Sequence, residues 1–234
     1  LLAVAGLVAS PALAQKGGTS KPPASKPDTT KKDDKKKDYK APFKVGMETD
    51  PAVALTDIGG RSQSLKDLRG KVVVLHFWSL DAGSAAYDKA LAALAADYSK
   101  KGVMFFAIDP NKADVEAGAD QYKRIQEYAA KNGLSFPIIF DKSYTLVDKF
   151  GAQTMAQSIV IDTKGFVRYS GAVNDDPDGK KGEKATPQLK NALDALVAGK
   201  DVAAGTTTPG GPPIKKTADK PADAKTPPAK GASK

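Results

Sequence analysis

The chain has no cysteine and a single histidine, His76. Without a thiol it can form no disulfide, no thiolate nucleophile and no thiolate-ligated zinc or iron–sulfur centre. One imidazole excludes multi-histidine metal sites and leaves one side chain suited to act as a base near neutral pH. No apolar run reaches the roughly 18 residues of a membrane-spanning helix, so no transmembrane segment is expected. Nor is there a phosphate-binding loop: Gly59-Gly60 and residues 179–182 lack both the strand-to-helix setting and the Lys-Ser/Thr pair. The sequence asks for no cofactor.

What is present is charge, unevenly spread. Of 234 residues, 36 are Lys or Arg and 27 are Asp or Glu, a net charge of +9. Residues 16–40 hold nine Lys and four Asp, and residues 201–234 hold six Lys and three Asp, so the stretch between them is close to neutral. The basic character belongs to the ends, where it suits contact with an anionic envelope surface. A nucleic-acid partner is disfavoured, because these lysines are not interleaved with aromatic residues on which bases stack.

Residues 1–14 are small and apolar and end in Ala12-Leu13-Ala14, which reads as a signal peptide clipped at its start and implies export to the periplasm or beyond the cell. Residues 15–44 are rich in Lys and Pro and predict a disordered linker. Residues 201–234 share that bias and predict a disordered tail. The folded domain is therefore expected over residues 45–200.

Inside those limits strand and helix periods alternate. Strands are expected over 51–58, 72–78, 103–108 and 136–140, with a hairpin of 158–162 and 166–170 around Thr163-Lys164-Gly165. Val72–Trp78 (VVVLHFW) is a continuous apolar run but for His76, as expected of a strand covered on both faces. Helices are expected from a cap at Asp81 through Lys100, over 120–131, over 144–150 and over 186–198.

Several words in this order resemble one family: Leu68-Arg69-Gly70-Lys71 ahead of Val72–Trp78, then Phe106-Ala107-Ile108-Asp109-Pro110, Phe136-Pro137, Ile159-Val160-Ile161-Asp162, and Tyr169-Ser170-Gly171 before Asp175-Asp176. They are similar to thioredoxin-like proteins of the redoxin branch, the alkyl hydroperoxide reductase and thiol-specific antioxidant family. The resemblance implies a thioredoxin-like three-layer α/β/α sandwich with a mixed central sheet. It also implies thiol oxidoreductase or peroxidase chemistry, with two cysteines where Ala82 and Ala85 stand, at the start of the long helix. A cis-proline beside them is implied where Ala156 stands. A later Gly-Cys-x-Ile word is matched by Gly210-Gly211-Pro212-Pro213-Ile214, again without cysteine.

The resemblance therefore points to a cysteine-less, degenerate, exported member, expected to be a non-catalytic binding or scaffold module. Two alternatives are an oxidoreductase or antioxidant role that depends on a partner's thiol or an unrecognised cofactor, and an accessory module held at the envelope by its tails. In the family, the groove at this site binds an extended polypeptide. Its rim here would be Trp78, Leu80, Asp81, Ser84, Met155 and Gln157, open to an unidentified protein or peptide. A Ser84/His76 nucleophile–base pair is disfavoured for want of an orienting third group. Asn174, Asp176 and Asp178 match half of a calcium loop, but Ala185 stands where a bidentate carboxylate is needed, and an acidic turn is the expected reading. Asp97, Asp109, Asp141 and Asp162 are placed at helix surfaces or strand ends with no pairing legible from spacing.

Overall fold

A computed structural model of the chain describes residues 37–80, 84–116, 118–176 and 180–216. The expected signal peptide, most of the expected linker and the last part of the tail lie outside the described residues. A compact unit begins at Asp38.

The fold is built on one five-stranded sheet of order β5-β4-β3-β6-β7. Its strands are β3 (Val72–Phe77), β4 (Val103–Asp109), β5 (Ile138–Phe140), β6 (Ser158–Ile161) and β7 (Val167–Gly171), and a separate hairpin joins β1 (Ala54–Thr56) to β2 (Ser62–Ser64). β3 runs parallel to β4 and antiparallel to β6, so the sheet is mixed. All six residues of β3 are buried, which explains why the run is apolar but for His76.

Alternate side chains feed two cores. Val72, Val74 and Trp78 face a layer of α1 (Asp88–Ser99), α3 (Gly118–Lys131) and α5 (Gln188–Val197), which contribute Leu91, Ile125 and Leu193 among others. Val73, Leu75 and Phe77 face α4 (Thr145–Phe150) and the β1–β2 hairpin, through Leu146, Phe150 and Leu55. This is the thioredoxin-like three-layer sandwich that the resemblance implies. Among the described residues no helix is long and apolar enough to cross a membrane.

Some expected boundaries move. The long helix does not run unbroken from Asp81: a 3-10 turn, Ser84–Tyr87, precedes α1. A short helix, α2 (Lys112–Glu116), forms ahead of α3. The chain turns after β2, where the Asp67 carboxylate accepts from the Ser64 amide and hydroxyl at 2.8 and 2.6 Å.

The domain also extends past both expected edges, 45 and 200. Phe43 is buried, donates its amide to the Lys149 carbonyl at 2.7 Å and meets Phe150 edge-on at 5.6 Å. Residues 201–216, expected to be disordered, lie along the sheet edge. The Ser170 amide donates to Gly205 and the Thr207 amide to Ser170; farther on, the Met155 amide donates to Pro212 and the Ile214 amide to Gln153. The Thr207 hydroxyl lies 2.8 Å from the Tyr169 hydroxyl and accepts from the Ala172 amide at 3.0 Å. A composition-based reading misses this strap because backbone pairing holds it, with few buried side chains. Two glycines let it close: a methyl at Gly171 would collide with Thr207, and one at Gly211 (φ +83°) would stand 2.8 Å from the Met155 carbonyl oxygen.

Ending the chain at Lys200 uncovers Ala156 and removes these hydrogen bonds. The expected cost is about 2 kcal/mol, or roughly 4–8 °C in melting temperature. Thermal unfolding followed by circular dichroism checks this; an unchanged midpoint would put the domain edge back at Lys200.

Candidate functional site

Three segments converge at the carboxyl end of β3: the loop that leaves it, the start of α1, and the turn that enters β6. Topology brings them together, since β3 lies between β4 and β6. The Phe77 amide donates to the Gln157 carbonyl and the Trp78 amide to the Ile108 carbonyl, both at 2.8 Å, so the strand end is clamped from both sides.

Beyond Trp78 the chain is held by a buried carboxylate that sequence reasoning did not single out. Asp114, on α2, accepts from the Ser79 hydroxyl at 2.7 Å, the Leu80 amide at 3.1 Å and the Asn111 side-chain amide at 3.0 Å. Asn111 in turn donates its backbone amide at 2.9 Å to Asp109, which stands at the strand end where it was expected and is buried there. Nothing in the sequence pairs Ser79 with Asp114, 35 residues on; an Asn-x-x-Asp spacing at a strand end is the only local sign.

A second buried carboxylate, Asp88 in the first turn of α1, takes the Trp78 indole N–H at 2.9 Å and the Tyr128 hydroxyl at 2.8 Å. Burial pushes the Asp88 carboxyl above its ordinary range, against the two hydrogen bonds that lower it. The same burial, with Asp88 beside it, pushes the Tyr128 phenol up to about 12. Trp78 and Tyr128 stack at a tilt with centroids 6.1 Å apart, so this triad ties β3 to both α1 and α3.

The degenerate positions divide. Asp81 and Ala82 lie outside the described residues, as do the side chains of Ser84 and Ala85; the backbone at Ser84 opens the 3-10 turn. Ala156 is fully buried and its peptide bond to Met155 is trans. The expected open groove is corrected here. Trp78, Met155 and Gln157 are 1%, 5% and 5% exposed, and only Leu80 of the described rim residues is half-open. Trp78 is turned inward onto Asp88. Met155 and Ala156 lie under the strap at Gly211 and Pro212. Gln157 accepts from the Gln153 amide at 2.8 Å and donates to Ser170 at 3.0 Å. The edge that would pair with an extended polypeptide already carries one, residues 212–214, bridged antiparallel at Thr154 and Pro213.

The other candidates are structural. His76 is buried with Nδ1 2.9 Å from the Ser158 hydroxyl, its neighbour across the β3–β6 pair, so its hydrogen-bond partner is Ser158. Burial drives its pKa down to about 3. Asp176 uses its carboxylate on the amides of Lys180, Lys181 and Gly182 at 2.7–3.0 Å, and Asn174 takes the Asp176 amide, which builds an acidic turn. Asp178 lies outside the described residues. Among the described residues no three His, Cys, Asp or Glu side chains gather to hold a metal ion. Asp141 caps α4 through the Leu146 and Val147 amides, and Asp162 closes the β6–β7 turn while pairing with Arg168 at 2.6 Å.

Two outcomes follow from this buried polar set. Replacing Asp88 with Ala strands the indole N–H and a phenol and should cost about 2–4 kcal/mol, whereas Asp88→Asn, which keeps an acceptor and removes a buried charge, should cost less than about 1 kcal/mol. Chemical denaturation at pH 7 measures both; equal losses would mean that the charge, not the acceptor, is what matters. For His76 the folded pKa lies below the unfolded value, so the unfolded chain binds the proton first and stability falls as pH drops through 6.5 toward 3. Between pH 6.5 and 4.5 the loss from this group should be about 2–3 kcal/mol. His76→Gln, which does not titrate, should show a correspondingly shallower acid limb; parallel limbs would mean that His76 is protonated in the fold.

Comparison with known proteins agrees with this architecture. Two solved structures share it: an uncharacterized conserved protein from Geobacillus kaustophilus (27% identical, 75% of this chain and 94% of that one, TM-score 0.66) and a hypothetical protein from Sinorhizobium meliloti 1021 (26% identical, 74% and 96%, TM-score 0.64). The chain is also 29% identical over 129 residues to the thiol-disulfide oxidoreductase ResA of Bacillus thuringiensis (strain Al Hakam), which covers 55% of this chain and 69% of that protein. The family pattern that matches spans residues 47–170, from the segment before β1 to β7, and is that of the AhpC/TSA redoxins. The chain belongs to the AhpC/TSA family.

Proposed function

We propose that this family member is an exported, non-catalytic module that acts by binding a protein or peptide partner. The observation that carries the reading is the absence of cysteine from the whole chain, with alanine at 82, 85 and 156. Thiol–disulfide exchange proceeds by attack of a thiolate on a disulfide sulfur, and peroxide reduction by a thiol passes through a sulfenic acid; neither has a starting atom here. The frame around the lost site persists: the Asp114 and Asp88 hydrogen bonds still fix where the β3 loop leaves and where α1 begins. A held loop without a nucleophile suits recognition. The surface left to a partner is narrower than the sequence implied: Leu80, the 3-10 turn at Ala86, and the outer side of the strap over Met155. Export is supported by the composition of residues 1–14, and the lysines at both ends suit an anionic envelope surface.

The purified chain should give no insulin reduction and no peroxidase turnover above a heat-killed control. Turnover in a preparation free of contaminating thioredoxin would overturn the reading. The double variant Ala82→Cys/Ala85→Cys should form an intramolecular disulfide in mild oxidant, seen as the loss of two thiols by mass spectrometry after alkylation. A folded variant that keeps both thiols free would show that 82 and 85 are not the family's cysteine positions.

A further inference from the structure

An open cavity of about 540 Å³ lies beside the end of β5. Three parts of the chain wall it: the β1–β2 hairpin, the junction of α2 with α3, and the segment that leaves β5. Ile58, Val115, Tyr122 and Phe140 give these walls their apolar surface. The polar side chains among the described lining residues are committed to the fold, with one exception. Thr56 donates its hydroxyl to Ser62 at 2.9 Å, and the Tyr122 hydroxyl donates to the Ile58 carbonyl. The Asp57 carboxylate accepts from the Gly59 and Arg61 amides at 2.9 Å each and pairs with Arg61 Nε at 2.7 Å, so its charge is matched within the hairpin turn. The exception is Lys142, which lines the cavity, is exposed, and whose ammonium has no ion pair or hydrogen bond among the described residues. Asp141, the acidic residue next to it, is buried and spends its carboxylate on the Leu146 and Val147 amides at 2.9 Å.

We propose that this cavity binds a small monocarboxylate with an apolar body, the body resting on Ile58, Val115, Tyr122 and Phe140 and the carboxylate on the Lys142 ammonium. The volume lies within the range of about 300–1,000 Å³ that ordinary ligand pockets span. Removing the apolar body from water drives binding, and the two aromatic rings in the wall favour an aryl group. The charge of the ligand follows from the one side chain left uncommitted. A cation is repelled by Lys142, a neutral molecule gains nothing from it, and a phosphate, which calls for several donors, finds one. None of the described residues that line the cavity belongs to the loop at Leu80, so this site goes beyond the binding role proposed above and does not depend on it.

The test titrates the full chain with 3-phenylpropanoate and with 3-phenylpropan-1-ol, which share the body and differ in the charge. At low salt the carboxylate should bind about threefold or more tightly than the alcohol, with backbone amide shifts at Ile58, Val115, Tyr122 and Phe140. That advantage should shrink as added salt screens the pair. In Lys142→Gln the two compounds should bind within about twofold of each other, and in Lys142→Glu their order should reverse. Lys142 and Thr56 are both exposed, so substitution at either leaves the core intact. Thr56→Trp fills the cavity from the hairpin and should weaken both compounds at least fivefold. No binding of the carboxylate up to its solubility limit overturns the assignment, as do shifts confined to residues elsewhere. A preference for the carboxylate that survives Lys142→Gln, or full affinity in Thr56→Trp, also overturns it.

Discussion

Val72 to Phe77 has neighbours in every direction: β4 and β6 on its two edges, helices α1, α3 and α5 on one face, and α4 with the β1–β2 hairpin on the other. A strand enclosed in this way must satisfy all its backbone groups in the sheet and must be apolar on both faces, and the run VVVLHF meets the second condition with one exception. That exception, His76, is accommodated by staying neutral and meeting Ser158 across the strand pair. Everything that follows β3 in the site inherits its position from this constraint. The chain leaves the sheet at Ser79 because Trp78 is still tied to Ile108, and the turn entering β6 arrives beside it because β6 is its antiparallel partner.

Four carboxylates then set the local geometry, and each does so by accepting hydrogen bonds that would otherwise be lost to burial. Asp114 holds the exit of β3, Asp88 joins Trp78 to Tyr128, Asp109 orders the turn into α2, and Asp141 caps α4. Raised carboxyl pKa values at Asp88 and Asp141, both driven first by burial, show that these groups carry a desolvation cost. A frame of this kind, with its acceptors occupied by its own donors, is rigid.

Legibility in the sequence followed from the physics of each element. Strands buried on both faces announce themselves by apolar runs, and β3, β4 and the β6–β7 hairpin fell where those runs predicted, to within a residue or two. The family's ordered words carried the topology. The strap was illegible because Gly, Pro and Thr have little side chain to bury, and its attachment relies on backbone pairing to residues far off in sequence, which no local pattern records. The open groove was misread for the same reason: Trp78, Met155 and Gln157 look like rim residues until the partners that cover them, Asp88, Pro212 and Ser170, are placed. Asp88 carries no signal of its own, since a lone acidic residue early in a helix reads equally well as a favourable interaction with the helix dipole, and Asp114 has only its spacing from Asn111.

The strap and the missing thiols bear on each other. The resemblance implies that in thiol enzymes of this fold an extended polypeptide lies along the edge that Met155 occupies here. Here the Met155 amide is already bound to Pro212 and the Ile214 amide to Gln153, so the chain covers this edge itself. The fit is tight: a methyl at Gly211 would come within 2.9 Å of the Ala156 methyl, and the backbone there has the positive φ that only glycine adopts without strain. Where a cis-proline would present the edge to substrate, a trans alanine instead packs beneath glycine. Covering the edge pairs the Met155 amide beside the apolar side chains of Met155 and Ala156. The strap thus closes over Met155 and Ala156 at the turn that enters β6.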